Sequence, residues 1–302
     1  MNPNNWIAIA MYDEISQPLS TSIALRHIAG LILFGLVLLS CSTPPDPKPP
    51  QPPTPTVTTS TPTPAPKITN VILMIGDGMG PQQIGLLMEY AHRAPTSIYK
   101  GRVTALEDIM DQGRIGMSRH GPADGIVVDS ACSATQLATG VAAPSEVIGV
   151  DAQGNPAETI LEKAKKMGKA TGLVSDTRIT HATPAAFAAH VPHRSMENAI
   201  AAAMLKTGPD IMLSGGLRHW IPASSNEEGS TAQQTLTTIT GGKLKLKSKR
   251  SDERNLIAEA QEAGYEVIFD RTALKSSKYD KILGLFAYSG MMDGIQASRH
   301  LH

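Results

Sequence analysis

Hydrophobic and polar positions along this chain change pattern near residue 67. Downstream of it, short apolar runs alternate with helical periodicity. NVILMI (Asn70–Ile75) is a continuous apolar run, the signature of a strand buried on both faces of a parallel sheet. A helix is predicted over Pro81–His92 and another near Thr104–Gln112. IVVD (Ile126–Asp129) reads as a short strand feeding a helix over Ala131–Thr139, closed by Gly140. Asn155 can cap a helix with Pro156 at its first position. The apolar face would be Ala157, Ile160, Leu161, Ala164 and Met167, with Gly168 as the stop. Lys169–Ser175 is the next strand, a helix starts at Pro184, and another covers Met196–Leu205. Strands at Ile211–Ser214, Tyr265–Phe269 and Leu283–Ala287 and a helix at Glu253–Ala263 complete the series. This alternation predicts an α/β fold: a doubly wound, mostly parallel sheet with helices on both faces. Residues 223–252 break the pattern and read as a surface insertion, its basic run Lys243–Arg250 as a solvated loop.

Upstream the pattern is different. Ile28–Leu39 is an almost unbroken apolar run of 12 residues. A membrane-spanning helix needs about 20, so the run is short for a span but suits the core of an export signal. Arg26 and His27 precede it, and it ends in Leu38-Leu39-Ser40-Cys41, which resembles a bacterial lipobox. The expectation is a signal region over 1–40, lipidation at Cys41, and an exported protein anchored to a membrane and facing the periplasm or cell exterior. The alternative is plain secretion. Residues 1–22 look too long and too polar for the start of such a signal. Eleven of the 22 prolines fall between Pro44 and Pro66. That stretch cannot bury a core and favours extended polyproline II, so residues 41–67 read as a semi-rigid tether. This leaves residues 68–302 as the globular domain.

Composition narrows the function. The 27 basic and 27 acidic residues give a formal net charge of zero, so no global field draws the chain to nucleic acid. With 41% hydrophobic and 18% charged residues the chain is globular. The two cysteines, Cys41 and Cys132, exclude a disulfide framework and a cysteine-based zinc site. Cys132 reads as small core packing.

Ligands of open α/β sheets sit at the carboxyl ends of strands, so the residues just after each strand carry the interest. After the first comes Gly76-Asp77-Gly78-Met79-Gly80-Pro81, which fails the dinucleotide pattern G-x-G-x-x-G at its last position. Asp77 is either a hard-cation ligand exposed by a tight turn or an ordinary turn aspartate. Ser130 stands at a helix N-terminus. Free N–H groups there favour a phosphate or a serine alkoxide, although Ser130 or Asp129 could equally be a plain cap. No G-x-S-x-G elbow surrounds Ser130, so an α/β-hydrolase triad is disfavoured, and a metal is the natural activator of its hydroxyl. Thr183 before Pro184 makes a good helix cap. His181 is either a metal or water-network residue or a structural histidine. Arg194 is either a fork for two phosphate oxygens or a surface arginine.

Together the blocks NVILMIGDGMGPQQ, VVDSACSATQLATG, IGVD, GLVSDTRITHATPAAFAAHV with Arg194, and DIMLSGG resemble the alkaline phosphatase family, in the family's order. The resemblance implies phosphate monoester hydrolysis through a phosphoserine, with two Zn2+ sites and one Mg2+ site. It implies Ser130 as nucleophile and metal contact, Arg194 as the phosphate clamp and Asp129 as the residue orienting that arginine. Asp77 would bridge the second zinc and the magnesium, Thr183 would be a magnesium-side ligand, and His181 would stand where family members carry aspartate or histidine. Phosphomonoesters and phosphate become the expected small-molecule partners, and a homodimer the expected assembly. A phosphodiesterase is disfavoured, because Arg194 needs two free phosphate oxygens. A non-catalytic phosphate- or partner-binding lipoprotein is the other alternative.

The resemblance stops short in one respect. Family members draw further ligands from a second half: an Asp-x-x-x-His pair, an Asp-His pair, a later histidine and a glutamate. Leu217–His302 holds none of these blocks; Asp293 and His300 have the wrong spacing, and His219 and His302 fit no block. The expectation is a domain incomplete at its C-terminus, with little or no phosphatase activity alone.

Overall fold

The computed structural model describes residues 6–13, 68–99, 102–118, 121–292 and 294. The Ile28–Leu39 run, Cys41 and the tether lie outside the described residues, as do Asp293, His300 and His302. No helix among the described residues is long and apolar enough to cross a membrane.

Among the described residues six parallel strands form one sheet, flanked by helices. They are β1 (Trp6–Asp13), β2 (Val71–Asp77), β3 (Ala170–Arg178), β4 (Ile211–Gly215), β5 (Glu266–Ile268) and β6 (Ile282–Leu285), in the order β2-β1-β3-β4-β6-β5. The predicted strand at Asn70–Ile75 is β2. Its neighbour is β1, from a segment the sequence reading left in the leader. β1 pairs Ile7 with Val71 and Asp13 with Asp77 on one side, and Trp6 with Ala170 on the other. The carboxyl ends of β1 and β2 therefore finish level.

Local signals explain most helices. α1 (Pro81–Arg93) has proline in its first turn, and α2 (Ala105–Gln112) is begun by a capping box between Thr104 and Glu107. α3 (Ser130–Thr139) ends at Gly140, whose φ of 77° is the left-handed conformation glycine adopts without strain. α6 (Glu197–Thr207), α7 (Thr231–Ile239) and α9 (Arg271–Ser276) complete that set.

Four expectations need correction. Ile126–Asp129 forms no strand: Ile126 and Val127 are 96% and 83% exposed, and the segment bends to deliver Asp129 as the cap of α3. The helix expected from Asn155 starts later, as α4 (Ile160–Lys166). Asp151 accepts from the backbone N–H of Gln153 and Asn155 and holds that stretch as a turn. The Thr159–Glu162 capping box then begins the helix. α8 (Leu256–Glu262) likewise begins three residues late, capped by Asn255. Finally, residues 223–252 are not wholly a surface insertion. Leu236 is buried in the core, and Leu244 and Leu246 pack on it. Arg250 is only 6% exposed, and its guanidinium donates to the Asn198 and His219 carbonyls.

The core lies around β3, β4 and β6, where Leu173, Met212 and Leu283 are buried with Phe187, Ile200, Met204 and Trp220. The β2 side is different. Val71, Ile72 and Met74 on β2, Leu86 and Tyr90 on α1, and Ile109 on α2 are exposed. An apolar surface of this extent on a soluble domain marks a face that normally packs against something.

Candidate active site

The site is built on the N-terminus of α3. Asp129 caps it: its carboxylate accepts from the backbone N–H of Ala131 at 3.2 Å and Cys132 at 2.9 Å. It also accepts from the Glu146 N–H at 3.1 Å. These bonds, with Arg194, outweigh partial burial and hold the carboxyl below its usual range. Ser130 is the first residue of the helix.

Arg194 reaches this helix start from the loop before α6. One amino group donates to Asp129 Oδ2 and to Ser130 Oγ, each at 2.9 Å. The other lies 3.2 Å from His181 Nε2. Burial, then Arg194 and Arg178, depress His181 to about 4, so at neutral pH the ring is uncharged and Nε2 accepts. Three of the five guanidinium donors are thus engaged by side chains of the described residues. The structure brings together four of the six expected residues here: Ser130, Asp129, Arg194 and His181.

Asp77 and Thr183 meet each other. Thr183 Oγ1 donates to Asp77 Oδ2 at 3.0 Å, tying the end of β2 to α5 (Ala182–Ala185). Thr183 is not the helix cap the sequence suggested. His181 occupies that position, and the hydroxyl is directed instead to the carboxylate. The Cys132 thiol is buried among Gln136 and the Ala143 carbonyl, and burial pushes it up, as fits a packing role.

Sequence reasoning missed Glu146. It is the one non-glycine residue with positive φ, 62°, among the described residues. Its N–H goes to Asp129, its carbonyl accepts from the Arg194 N–H at 2.8 Å, and its carboxylate lies 2.8 Å from His193 Nε2. Backbone strain of this kind persists only where the surroundings enforce it. Here it braces the start of α3 and the loop carrying Arg194 against each other. A lone glutamate in a PSE turn carries no sequence signal for that role.

A zinc ion takes about four ligands. No group of three or more His, Cys, Asp or Glu residues that could hold a metal exists among the described residues. Asp77 is the one carboxylate beside Thr183 in the hydrogen bonds described, and His181 Nε2 faces a guanidinium. These residues do not fit a complete two-zinc, one-magnesium set. A shallow cavity of about 400 Å³ lies nearby, lined by Ser195–Ala199, His219 and Lys249, and includes neither Ser130 nor Arg194.

The buried His219 makes the domain acid-sensitive. Burial lowers it from 6.5 to about 4. The unfolded chain therefore takes up this proton near pH 6.5, while the folded chain refuses it until about 4. Stability should fall as pH drops through that window. Asp129, Glu162 and Glu197, all held low, extend the loss below it. Melting temperatures measured from pH 7.5 to 4.5 check this, and a flat or rising profile contradicts it.

Comparison with known proteins identifies the family. The family model described as alkaline phosphatase matches residues 68–301. Alkaline phosphatase 3 of Bacillus subtilis is 34% identical over 237 residues, covering 78% of this chain and 45% of that protein. The cold-active alkaline phosphatase of a psychrophilic Shewanella superposes with a TM-score of 0.56 at 32% identity, covering 72% of this chain and 46% of that one. A histidine-to-glutamate variant of the TAB5 alkaline phosphatase, with Mg bound in its M3 site, superposes at 0.53 with 25% identity, covering 72% and 52%. The chain spans about half the length of the curated relatives it matches. With more than three-quarters of its residues inside the family model and identities above 30% to curated relatives, the chain belongs to the alkaline phosphatase family.

Proposed function

We propose that this chain carries the phosphoryl-binding half of an exported phosphate monoesterase that works through a phosphoserine. The observation that carries the reading is Arg194 donating at once to Asp129 and to Ser130 at the start of α3. Ser130 Oγ attacks phosphorus opposite the ester oxygen. The P–O ester bond breaks, and the serine proton leaves with the alcohol. Water then attacks the phosphoserine and returns Ser130 and inorganic phosphate. Arg194 binds two oxygens of the transferring group, which selects monoesters over diesters.

Asp77, Thr183, Ser130 and His181 contribute to the Zn2+ and Mg2+ sites only when further ligands join them, so the chain alone has little or no hydrolytic activity. The incomplete ligand set among the described residues and the exposed apolar surface on β2, α1 and α2 support this. Cys41 is the lipid anchor, residues 41–67 hold the domain off a membrane facing the periplasm or cell exterior, and the assembled enzyme is a homodimer.

Two measurements test the reading. Calorimetry should show the chain binding inorganic phosphate, and Arg194→Ala should weaken binding about 10- to 100-fold, the worth of hydrogen bonds to a charged group. The chain joined to the remaining half of the Bacillus subtilis relative should hydrolyse p-nitrophenyl phosphate, and Ser130→Ala should abolish this. Hydrolysis that survives in the Ser130→Ala protein removes the phosphoserine. Phosphate binding without hydrolysis in the joined protein favours a non-catalytic phosphate-binding lipoprotein.

A further inference from the structure

Glu197, the first residue of α6, is a mostly buried carboxylate that the chemistry above does not use. Its Oε2 accepts from Arg178 Nε at 2.7 Å and from Thr180 Oγ1 at 2.6 Å, and lies 3.3 Å from His219 Nε2. Arg218 Nη2 is 3.8 Å from Oε1. One carboxylate therefore joins three segments: the end of β3, the start of α6, and the turn Leu217–His219 that follows β4.

The positions of these residues give the cluster its meaning. Thr180 directly precedes His181, and Thr180 is fully buried. Glu197 follows Arg194 by three residues. The two backbone segments that Glu197 ties together are thus the ones carrying the Arg194–His181 contact. On the other side the arginine loop is fixed by the Arg194 N–H to Glu146 carbonyl bond. Without Glu197 nothing else in these hydrogen bonds joins the start of α6 to Thr180, and the loop carrying Arg194 is anchored on one side instead of two.

We infer that Glu197 is a positioning residue: by clasping Arg178 and Thr180 it holds the Arg194 guanidinium in line with Ser130. The inference rests on Arg194 being the phosphate clamp, but its geometric content does not depend on phosphate binding. A plain structural ion pair makes a different prediction, because it stabilises the fold without governing the mobility of one distant guanidinium.

The test uses the full chain labelled with 15N-arginine, with the Arg194 side-chain signals assigned by their loss in Arg194→Lys. In the native protein these signals should show restricted rotation of the guanidinium. Glu197→Gln, which removes the charge and sets an amide N–H2 against one of the arginines Arg178 and Arg218, should release it, giving averaged signals while the amide spectrum of the sheet stays native. Thr180→Val removes a single arm of the clasp and should loosen the same signals to a smaller degree, which keeps the test decisive if Glu197→Gln fails to fold. Asp210→Asn is the structural control. That carboxylate accepts from the Thr171 N–H and hydroxyl at the opposite end of β3, so its loss should lower the melting temperature and leave Arg194 unchanged. Phosphate affinity should fall about fivefold in Glu197→Gln, as expected for residues coupled through one network. Unchanged Arg194 signals in both Glu197→Gln and Thr180→Val overturn the inference. Loosened signals in a protein that never binds phosphate keep the clasp and remove the phosphate role of Arg194.

Discussion

Replacing Asp129 by alanine is expected to lower stability by about 2–4 kcal/mol, the sum of a lost helix cap and of donors left without an acceptor. Four donors converge on this carboxylate: the N–H groups of Ala131, Cys132 and Glu146, and Arg194. Alanine leaves all of them unanswered in a partly buried place. For a domain of this size each kcal/mol moves the melting temperature by roughly 2–4 °C, so a fall of about 5–15 °C should be seen. Asparagine separates the two duties of the residue. With its carbonyl oxygen in the place of Oδ1 it still accepts from Cys132 and Glu146, so most of the cap survives. Its amide group then stands where Oδ2 met Arg194, donor against donor, and the guanidinium swings away from Ser130. Asp129→Asn should therefore melt within a few degrees of the native protein yet bind phosphate about tenfold more weakly. If Asp129→Asn binds phosphate as the native chain does, Asp129 is a cap and nothing more.

That pairing bears on what the sequence made legible. Ser130, Asp129 and Arg194 were readable because their chemistry is local: a helix start, a cap, a guanidinium in a loop. Their convergence was available only through family resemblance, since nothing in the chain between Ser130 and Arg194, 64 positions apart, encodes the distance. The strands were legible for a similar reason. NVILMI and IMLS are largely apolar runs, the pattern of a parallel strand, although β2 leaves Val71, Ile72 and Met74 exposed where that pattern predicts burial. IVVD has the same composition but no neighbour to pair with, and composition does not report neighbours. Glu197 and Glu146 were missed because each works through partners distant in sequence, and an isolated glutamate at a helix start or in a turn looks like any solvated one. Thr183 was misread for the opposite reason: Thr-Pro is a strong cap signal, and a tertiary partner, Asp77, outcompeted it.

β1 was also missed, although WIAIAM resembles NVILMI in being apolar throughout; its position ahead of an export-like run concealed it. A chain beginning at Cys41 lacks this strand, and the consequence should be large. Among the described residues β1 is the only strand that pairs with β2, and it is the link between β2 and β3. Its removal breaks two ladders and opens an edge on each neighbour, on the order of 5 kcal/mol at a net contribution near 1 kcal/mol per hydrogen bond. β2 already exposes Val71, Ile72 and Met74, so the open slot would add unpaired N–H and C=O groups to an apolar surface, the combination that recruits foreign strands. The shortened chain should melt roughly 10–20 °C lower, lose amide-exchange protection along Val71–Asp77, and aggregate at concentrations where the full chain does not. A synthetic peptide with the sequence of Trp6–Asp13 should restore part of that protection by parallel strand addition. Equal melting and equal protection in the two chains would show that β1 contributes nothing to the sheet. Removal of the signal region ahead of Cys41, the processing expected of a lipobox, would make the same cut in the cell. The slot between β2 and β3, level with Asp77 at its carboxyl end, would then have to be filled by another strand before Asp77 and Thr183 could be held where the proposed chemistry needs them.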